Sequence, residues 1–98
     1  MKLVLSTHKV TLSSALKSHV RHCIEKLDHQ ETHALKAFVN LERDHTGGSD
    51  RKYACTMKIA LPGQNVVARD SESDLYAAID LVTKKIQSQL RKRHNKFK

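Results

Sequence analysis

Apolar and polar residues alternate at the start of the chain. Leu3, Leu5 and Thr7 occupy one set of alternate positions, and Lys2, Val4 and Ser6 occupy the other. This two-residue period is typical of a strand with one buried face, because successive side chains point to opposite sides of a sheet. The sequence predicts a first strand over residues 2–8.

After this strand the apolar period lengthens to three and four residues. The repeating positions are Leu16, Val20, Cys23, Ile24 and Leu27. This spacing gathers them into one stripe along an α-helix, and Thr11 or Ser13 can accept a hydrogen bond from the first turn. We expect a first helix with one buried face.

The middle of the chain returns to alternation and predicts three more strands. The second covers residues 34–43 and directs inward Leu35, Ala37, Val39 and Leu41. Polar residues 44–50, with two adjacent glycines, form a predicted loop before the third strand at residues 51–61. That strand directs inward Tyr53, Cys55, Met57, Ile59 and Leu61. Pro62 and Gly63 then predict a tight turn into a short fourth strand over residues 65–69.

A second helical period begins near residue 72. Its apolar stripe consists of Leu75, Ile79, Val82, Ile86 and Leu90. Asp70, Glu72 and Asp74 are expected beside the N-terminus of this final helix, where the helix dipole favours negative charge. Arg93 stands at the next position of the stripe, so we expect the basic end of the helix to leave the core and project into solvent.

The order β-α-β-β-β-α predicts an α+β fold in one domain over residues 1–98. Two helices and four strands, each with one apolar face, bury those faces when both helices pack on one side of a four-stranded sheet. A sheet backed by two helices is also the architecture of double-stranded RNA-binding domains. The open face of the sheet is expected to present the cations Lys36, Lys52, Lys58 and Arg69 as a second positive patch that is predicted to contact RNA.

Positive charge is concentrated at the end of the chain. Of the 18 lysines and arginines, seven lie in the last eighteen residues, which contain none of the 10 acids. One or two cations would complement the helix dipole, but seven exceed that need and indicate a polyanion-binding surface. At about 100° per residue, Lys84 and Arg91 lie nearly opposite the stripe, while Lys85, Lys92 and Lys96 follow one flank. These five residues are the predicted RNA contacts of the final helix.

Other classes of protein are excluded by what the sequence lacks. No apolar run approaches the roughly 20 residues of a membrane span, and no secretory signal is present, so we expect a cytoplasmic protein without membrane contact. The chain has no phosphate-binding loop, no glycine-rich dinucleotide turn and no isolated carboxylate pair. We therefore expect no catalysis, no cofactor and no small-molecule substrate. An aromatic content of 4% leaves few rings to stack on bases, which favours recognition of phosphates and shape.

The cysteines and histidines do not change this interpretation. Cys23 and Cys55 lie on predicted buried faces and are interpreted as small core residues. His19, His22 and Cys23 share the first helix at spacings of three and four residues, but a zinc site would need further ligands from elsewhere. The sequence therefore predicts no metal site.

Several segments resemble a known family. They are DLYAAID at residues 74–80, QLRK at residues 89–92 with Lys85 and Lys96 on either side, VTLSSALKSHV at residues 10–20, and the turn at Pro62-Gly63. Together they resemble the ribosome hibernation-promoting factor and ribosome-associated inhibitor family over the whole chain, and the predicted order of elements is that family's fold. Ser88 departs from the family, which commonly has arginine there, and Cys23 stands where a basic residue is frequent. The end of the chain at Lys98 resembles the family's short form.

This resemblance implies a protein that binds the small ribosomal subunit at the decoding centre, between its head and body. There it would block the messenger and transfer RNA sites and silence translation under stress or in stationary phase. The resemblance implies ribosomal RNA contacts for Lys85, Lys92 and Lys96, whereas Lys84 and Arg91 are proposed from charge and geometry. Off the ribosome we expect a monomer. Two alternatives stay open: a generic double-stranded RNA-binding module, and a protein-binding regulator of transcription such as a sigma-factor modulator.

Overall fold

The secondary structure follows the predicted order of elements. The computed structural model describes residues 1–43 and 52–96. Its elements are β1 (Lys2–His8), α1 (Ser14–Gln30), β2 (Lys36–Arg43), β3 (Tyr53–Ala60), β4 (Val66–Glu72) and α2 (Leu75–Lys96). The predicted loop over residues 44–50 lies outside the described residues. Neither of the described helices carries an apolar stretch of the length that a bilayer crossing needs.

The four strands form one sheet in the order β1-β2-β3-β4. β1 pairs parallel with β2, whereas β3 pairs antiparallel with both β2 and β4. A parallel pair cannot be joined by a tight turn, and α1 supplies the crossover that it needs. α2 follows β4 and packs against β3, β4 and α1. Both helices therefore cover the same face of the sheet, which confirms the predicted α+β fold.

One apolar core lies between the helices and the sheet. The five stripe residues predicted for α1 are all buried, and the α2 residues Ile79, Val82, Ile86 and Leu90 are completely buried beside them. The side chain that caps α1 is that of Ser13, whose Oγ accepts a hydrogen bond from the Leu16 N–H at 3.1 Å. Of the two candidates for this cap, Ser13 is therefore the one used.

The prediction for Leu35 was wrong. Its side chain is 64% exposed, and β2 begins one residue later, at Lys36. The physical reason is that Leu35 belongs to the connection from α1 and is held by its backbone: its N–H donates to the Ala60 carbonyl at 2.9 Å. The alternating pattern continued through this residue, although its side chain reaches no partner in the core.

β4 is longer than the prediction, and this changes the position of two acids. Asp70 and Glu72 belong to β4, where Glu72 pairs with Tyr53 of β3, and not to the N-terminus of α2. Backbone pairing with β3 extends the strand through these polar residues, which no apolar period marks. Only Asp74 adjoins the helix as expected, and its carboxylate accepts a hydrogen bond from the Ala77 N–H at 2.9 Å.

The turn between β3 and β4 agrees with its sequence. Gly63 has a φ of +92°, which is the left-handed conformation that the third position of such a turn requires and that glycine adopts without strain. This turn brings β4 back along β3 and places residues 62–66 close to the last turns of α2.

Candidate nucleic-acid interface

The two sides of α2 differ because one of them is buried by the sheet. Its apolar stripe faces the core, so the residues that lie between the stripe positions point to solvent. Lys84, Lys85, Arg91 and Lys92 are all exposed. The backbone of Lys96 belongs to the same helix. The structure therefore brings these cations together on one element, as the charge pattern predicts.

Lys85 has an acidic partner within the protein. Its ammonium group forms an ion pair with Asp70 on β4, and 48% of the Lys85 side chain stays exposed. Such surface ion pairs contribute only about 0–1 kcal/mol. The pair therefore adds little stability, and it orients Lys85 along the β4 side of the helix.

Arg93 does not project into solvent, and that prediction was wrong. Its guanidinium donates hydrogen bonds to the carbonyl oxygens of Gln64 at 2.7 Å and of Pro62 at 2.9 Å. The residue is half-buried against the turn between β3 and β4. The reason is that the turn presents carbonyl oxygens beside the last turns of α2, and the five donors of a guanidinium can bind two of them at once.

A cleft separates this turn from the exposed cations of α2. It has a volume of about 460 Å³ and is bounded by Gln64 and Val66 on one side and by Gln89 and Lys92 on the other. The Gln89 side chain crosses its floor and donates to the Val67 carbonyl at 2.9 Å. Lys92 thus stands at the rim of a concave surface. Sequence reasoning missed this cleft, because no local pattern reports the distance between a hairpin turn and a helix.

The open face of the sheet places two predicted cations beside one aromatic ring. The ammonium groups of Lys36 and Lys58 lie 5.1 and 5.7 Å from the centroid of the Phe38 ring. Both distances are within the range of cation–π contacts. Phe38 and Lys58 are opposite each other across β2 and β3. The positive charge of this face is therefore centred on an exposed ring.

The other two open-face cations are arranged differently. Arg69 pairs with Glu42 at 2.9 Å, so an acid on the same face neutralises much of its charge. Lys52 is exposed and precedes the first residue of β3. The structure thus groups Lys36 with Lys58 around Phe38, whereas Arg69 pairs with Glu42.

The two cysteines lack the environment of a nucleophile. Burial, with a smaller contribution from the neighbouring Cys23, raises the pKa of Cys55 to about 12. Burial also raises the pKa of Cys23, although a hydrogen bond with Thr83 opposes this effect. Only the thiolate is a strong nucleophile. At neutral pH both side chains are therefore protonated, as the interpretation of core residues implies.

Comparison with known proteins places this chain in a family. The family model described as "Sigma 54 modulation protein / S30EA ribosomal protein" matches residues 3–98. A Ribosome hibernation promotion factor of a Picosynechococcus species is 30% identical over 93 residues, which is 94% of this chain and 48% of that protein. The factor of the same name from Lactococcus lactis is 30% identical over 96 residues, covering 94% of this chain and 49% of that protein. The chain spans about half the length of the curated relatives it matches.

Solved structures share the fold. The N-terminal domain of Protein Y from Thermus thermophilus superposes with a TM-score of 0.78 at 22% identity, covering 94% of this chain and 98% of that one. A ribosomal subunit interface protein from Coxiella burnetii gives a TM-score of 0.83 at 19% identity, covering 97% and 99%. These likenesses concern the fold, and the family follows from the sequence comparison. The chain belongs to the Sigma 54 modulation protein / S30EA ribosomal protein family, as its resemblance to ribosome hibernation factors predicts.

Proposed function

We propose that this protein binds the small ribosomal subunit at the decoding centre and silences translation under stress or in stationary phase. It would occupy the sites of messenger and transfer RNA, acting in the cytoplasm as a monomer of one domain over residues 1–98. The observation that carries this proposal is the exposed cationic side of α2 in a chain of this family. Ribosomal RNA is the polyanion that such a surface meets on a ribosome.

The cations of α2 are proposed to make the main RNA contacts. Lys84, Arg91 and Lys92 are exposed, and no ion pair of theirs occurs among the described residues. Lys85 is proposed to exchange Asp70 for a phosphate, because its present ion pair is exposed and weak. Lys96 is proposed as a contact from the family resemblance. Binding by occupancy needs no catalytic group, so no enzyme activity is proposed.

The open face is proposed as a second, weaker contact surface. Lys36 and Lys58 stand beside Phe38 and can approach a phosphate together. Arg69 must first release Glu42, and Lys52 stands apart from the pair. We expect substitutions on this face to weaken binding less than substitutions on α2.

Cosedimentation with small ribosomal subunits tests the proposal. We expect the wild-type chain to be retained at about one copy per subunit, since a channel offers one site. The double variant Arg91→Glu with Lys92→Glu should lose retention. A matched control reverses the same charges on α1 with Lys17→Glu and Arg21→Glu, both exposed, and should stay bound. Absence of wild-type retention would overturn the proposal, and equal loss in both variants would show that net charge alone drives binding.

The family description also names sigma 54 modulation, which favours a second candidate: a protein-binding regulator of transcription. Cosedimentation on a sucrose gradient distinguishes a ribosome-binding protein from these alternatives. A transcription regulator would stay at the top of the gradient with ribosomes present. A generic double-stranded RNA binder would be removed from the subunit by free RNA duplex at comparable concentration, whereas a binder of the decoding centre would not.

A further inference from the structure

Three side chains with metal-binding atoms converge where α1 passes α2. His19 and Cys23 lie one turn apart on α1, so they share a face of that helix. Asp80 approaches them from α2. The His19 Nε2 atom is 2.7 Å from Asp80 Oδ1, and the Cys23 sulfur is 3.8 Å from that oxygen and 4.0 Å from that nitrogen. An imidazole, a thiol and a carboxylate therefore form one triangle.

The size of this triangle fits a tetrahedral zinc ion. With bonds of about 2.0 Å to nitrogen and oxygen and about 2.3 Å to sulfur, tetrahedral ligand atoms lie roughly 3.3–3.6 Å from one another. The nitrogen and oxygen would separate by about half an ångström, and the sulfur would move closer by somewhat less. Rotation of the Asp80 side chain, which is 54% exposed, can supply the larger change. No backbone movement is needed for adjustments of this size.

Burial gives the cluster a closed side and an open side. Cys23 is only 3% exposed, whereas 28% of the His19 side chain and 54% of the Asp80 side chain are exposed. Solvent can therefore reach the position between the three ligands and provide a fourth. The Tyr76 ring packs edge-on against His19, with ring centroids 5.2 Å apart, and holds the imidazole in place. Such outer contacts orient metal ligands.

An ion pair between His19 and Asp80 would account for those two residues alone. The Cys23 sulfur, which also shares a hydrogen bond with Thr83, lies within 4.0 Å of both the His19 nitrogen and the Asp80 oxygen, so it can join them as a third ligand. The adjacent histidine on α1, His22, is exposed and does not belong to the triangle. The ligand that completes the set lies 61 positions away from His19, which is why the spacing on α1 predicted no site.

We propose that His19, Cys23 and Asp80 bind one Zn²⁺ ion, with water as the fourth ligand, and that this ion fastens α1 to α2. A thiolate and an imidazole favour zinc over magnesium or calcium, which prefer oxygen ligands. Binding replaces the thiol proton of Cys23, which leaves to the buffer. The proton on Nε2 of a neutral His19 moves to Nδ1, so that Nε2 can coordinate. This site does not rest on the proposed ribosomal function.

Titration with Co²⁺, used as a spectroscopic substitute for Zn²⁺, tests the site on the full chain under a non-chelating reductant. We expect a sulfur-to-cobalt charge-transfer band in the near ultraviolet and the visible bands of tetrahedral cobalt. Both should saturate at one ion per chain and vanish when Zn²⁺ is added. Cys23→Ser should remove the charge-transfer band, and Asp80→Asn should weaken binding about tenfold or more.

Two control variants isolate the three ligands. His22→Ala changes the adjacent histidine and Cys55→Ala removes the other thiol, so both should bind Co²⁺ like the wild type. Zn²⁺ should raise the melting temperature of the wild type and of His22→Ala, because it binds the folded chain in preference to the unfolded one, and should raise that of Asp80→Asn less at the same Zn²⁺ concentration. Asp80 is exposed, so this variant keeps the fold even if Cys23→Ser does not. No charge-transfer band in the wild type, or a Co²⁺ affinity that Asp80→Asn leaves unchanged, would overturn the proposal.

Discussion

Arg93 shows that a cation in a basic segment can stabilise the fold. Its two hydrogen bonds tie the end of α2 to the carbonyl groups of Pro62 and Gln64. Hydrogen bonds that involve a charged group contribute more than neutral ones. Arg91, two residues earlier, is exposed to solvent. At one helix end, Arg93 therefore contributes to stability, whereas Arg91 is available for the proposed binding to RNA.

Alanine substitutions separate these two tasks. Arg93→Ala should lower the free energy of unfolding by about 1 kcal/mol, because it removes two hydrogen bonds donated by a charged group, while water can still reach the two carbonyl groups of the exposed turn. Arg91→Ala should change it by no more than about 0.5 kcal/mol, as exposed substitutions usually do, and weaken ribosome binding instead. Urea unfolding and cosedimentation measure the two effects. Equal losses of stability in both variants would contradict the assigned role of Arg93.

The raised pKa of the buried Cys55 thiol predicts that the protein loses stability at alkaline pH. Its pKa rises from an ordinary value of 9.0 to about 12 on folding, chiefly through burial. The stability that its protonated thiol contributes is fully present below pH 9 and is lost as the pH rises towards about 12. Urea unfolding at about pH 8 and about pH 10 should show a larger loss for the wild type than for Cys55→Ala. Parallel losses would mean that Cys55 ionises in the folded chain without penalty.

At the scale of elements, the sequence predicted those segments whose side chains face the core. Both helices and all four strands were found from their periods, because burial of one face imposes a period of two or 3.6 residues. The misplaced ends have another cause. β4 continues through Asp70 because its backbone pairs with β3, and Leu35 lies outside β2 although it follows the alternation. Backbone pairing leaves no mark on the side-chain pattern.

The number of cations proposed to contact RNA on α2 predicts how ribosome binding depends on salt concentration. If its five proposed cations each neutralise a phosphate, the logarithm of affinity should fall with the logarithm of salt concentration at a slope of about −3.5 to −4.5. Binding measured between about 50 and 200 mM salt gives this slope. Arg91→Glu with Lys92→Glu should make the slope shallower, and the α1 control should not. A slope near zero in the wild type would contradict an interface built on phosphates.

At the scale of the whole molecule, the charge was predictable and its pairing was not. A count of charged residues located the cationic end of the chain, and α2 exposes most of the cations counted there. Sequence could not show which cations already have partners, because Asp70 precedes Lys85 by 15 positions and Gln64 precedes Arg93 by 29. The cleft beside Lys92 likewise requires the turn and α2 to meet. Composition thus predicts that a cationic surface exists, whereas only tertiary distances show which of its cations are already paired within the protein.

Silencing by occupancy predicts that the order of addition decides the outcome. A molecule that fills the channel must compete with messenger and initiator transfer RNA for one site. Ribosomes loaded with both before the protein is added should therefore resist inhibition in a translation extract, whereas empty ribosomes should be inhibited. Inhibition should follow the molar ratio of protein to ribosome and level off at about one to one, since each ribosome has one channel.

The α2 variants supply the control for this experiment. Arg91→Glu with Lys92→Glu should fail to inhibit even empty ribosomes, and Lys17→Glu with Arg21→Glu should inhibit like the wild type. A chelator selective for Zn²⁺ over Mg²⁺ should not relieve inhibition, because the cations proposed to contact RNA are not ligands of the proposed zinc site. Equal inhibition of loaded and empty ribosomes would contradict competition for the channel. Inhibition far below stoichiometry would indicate turnover, which occupancy of a single site cannot produce.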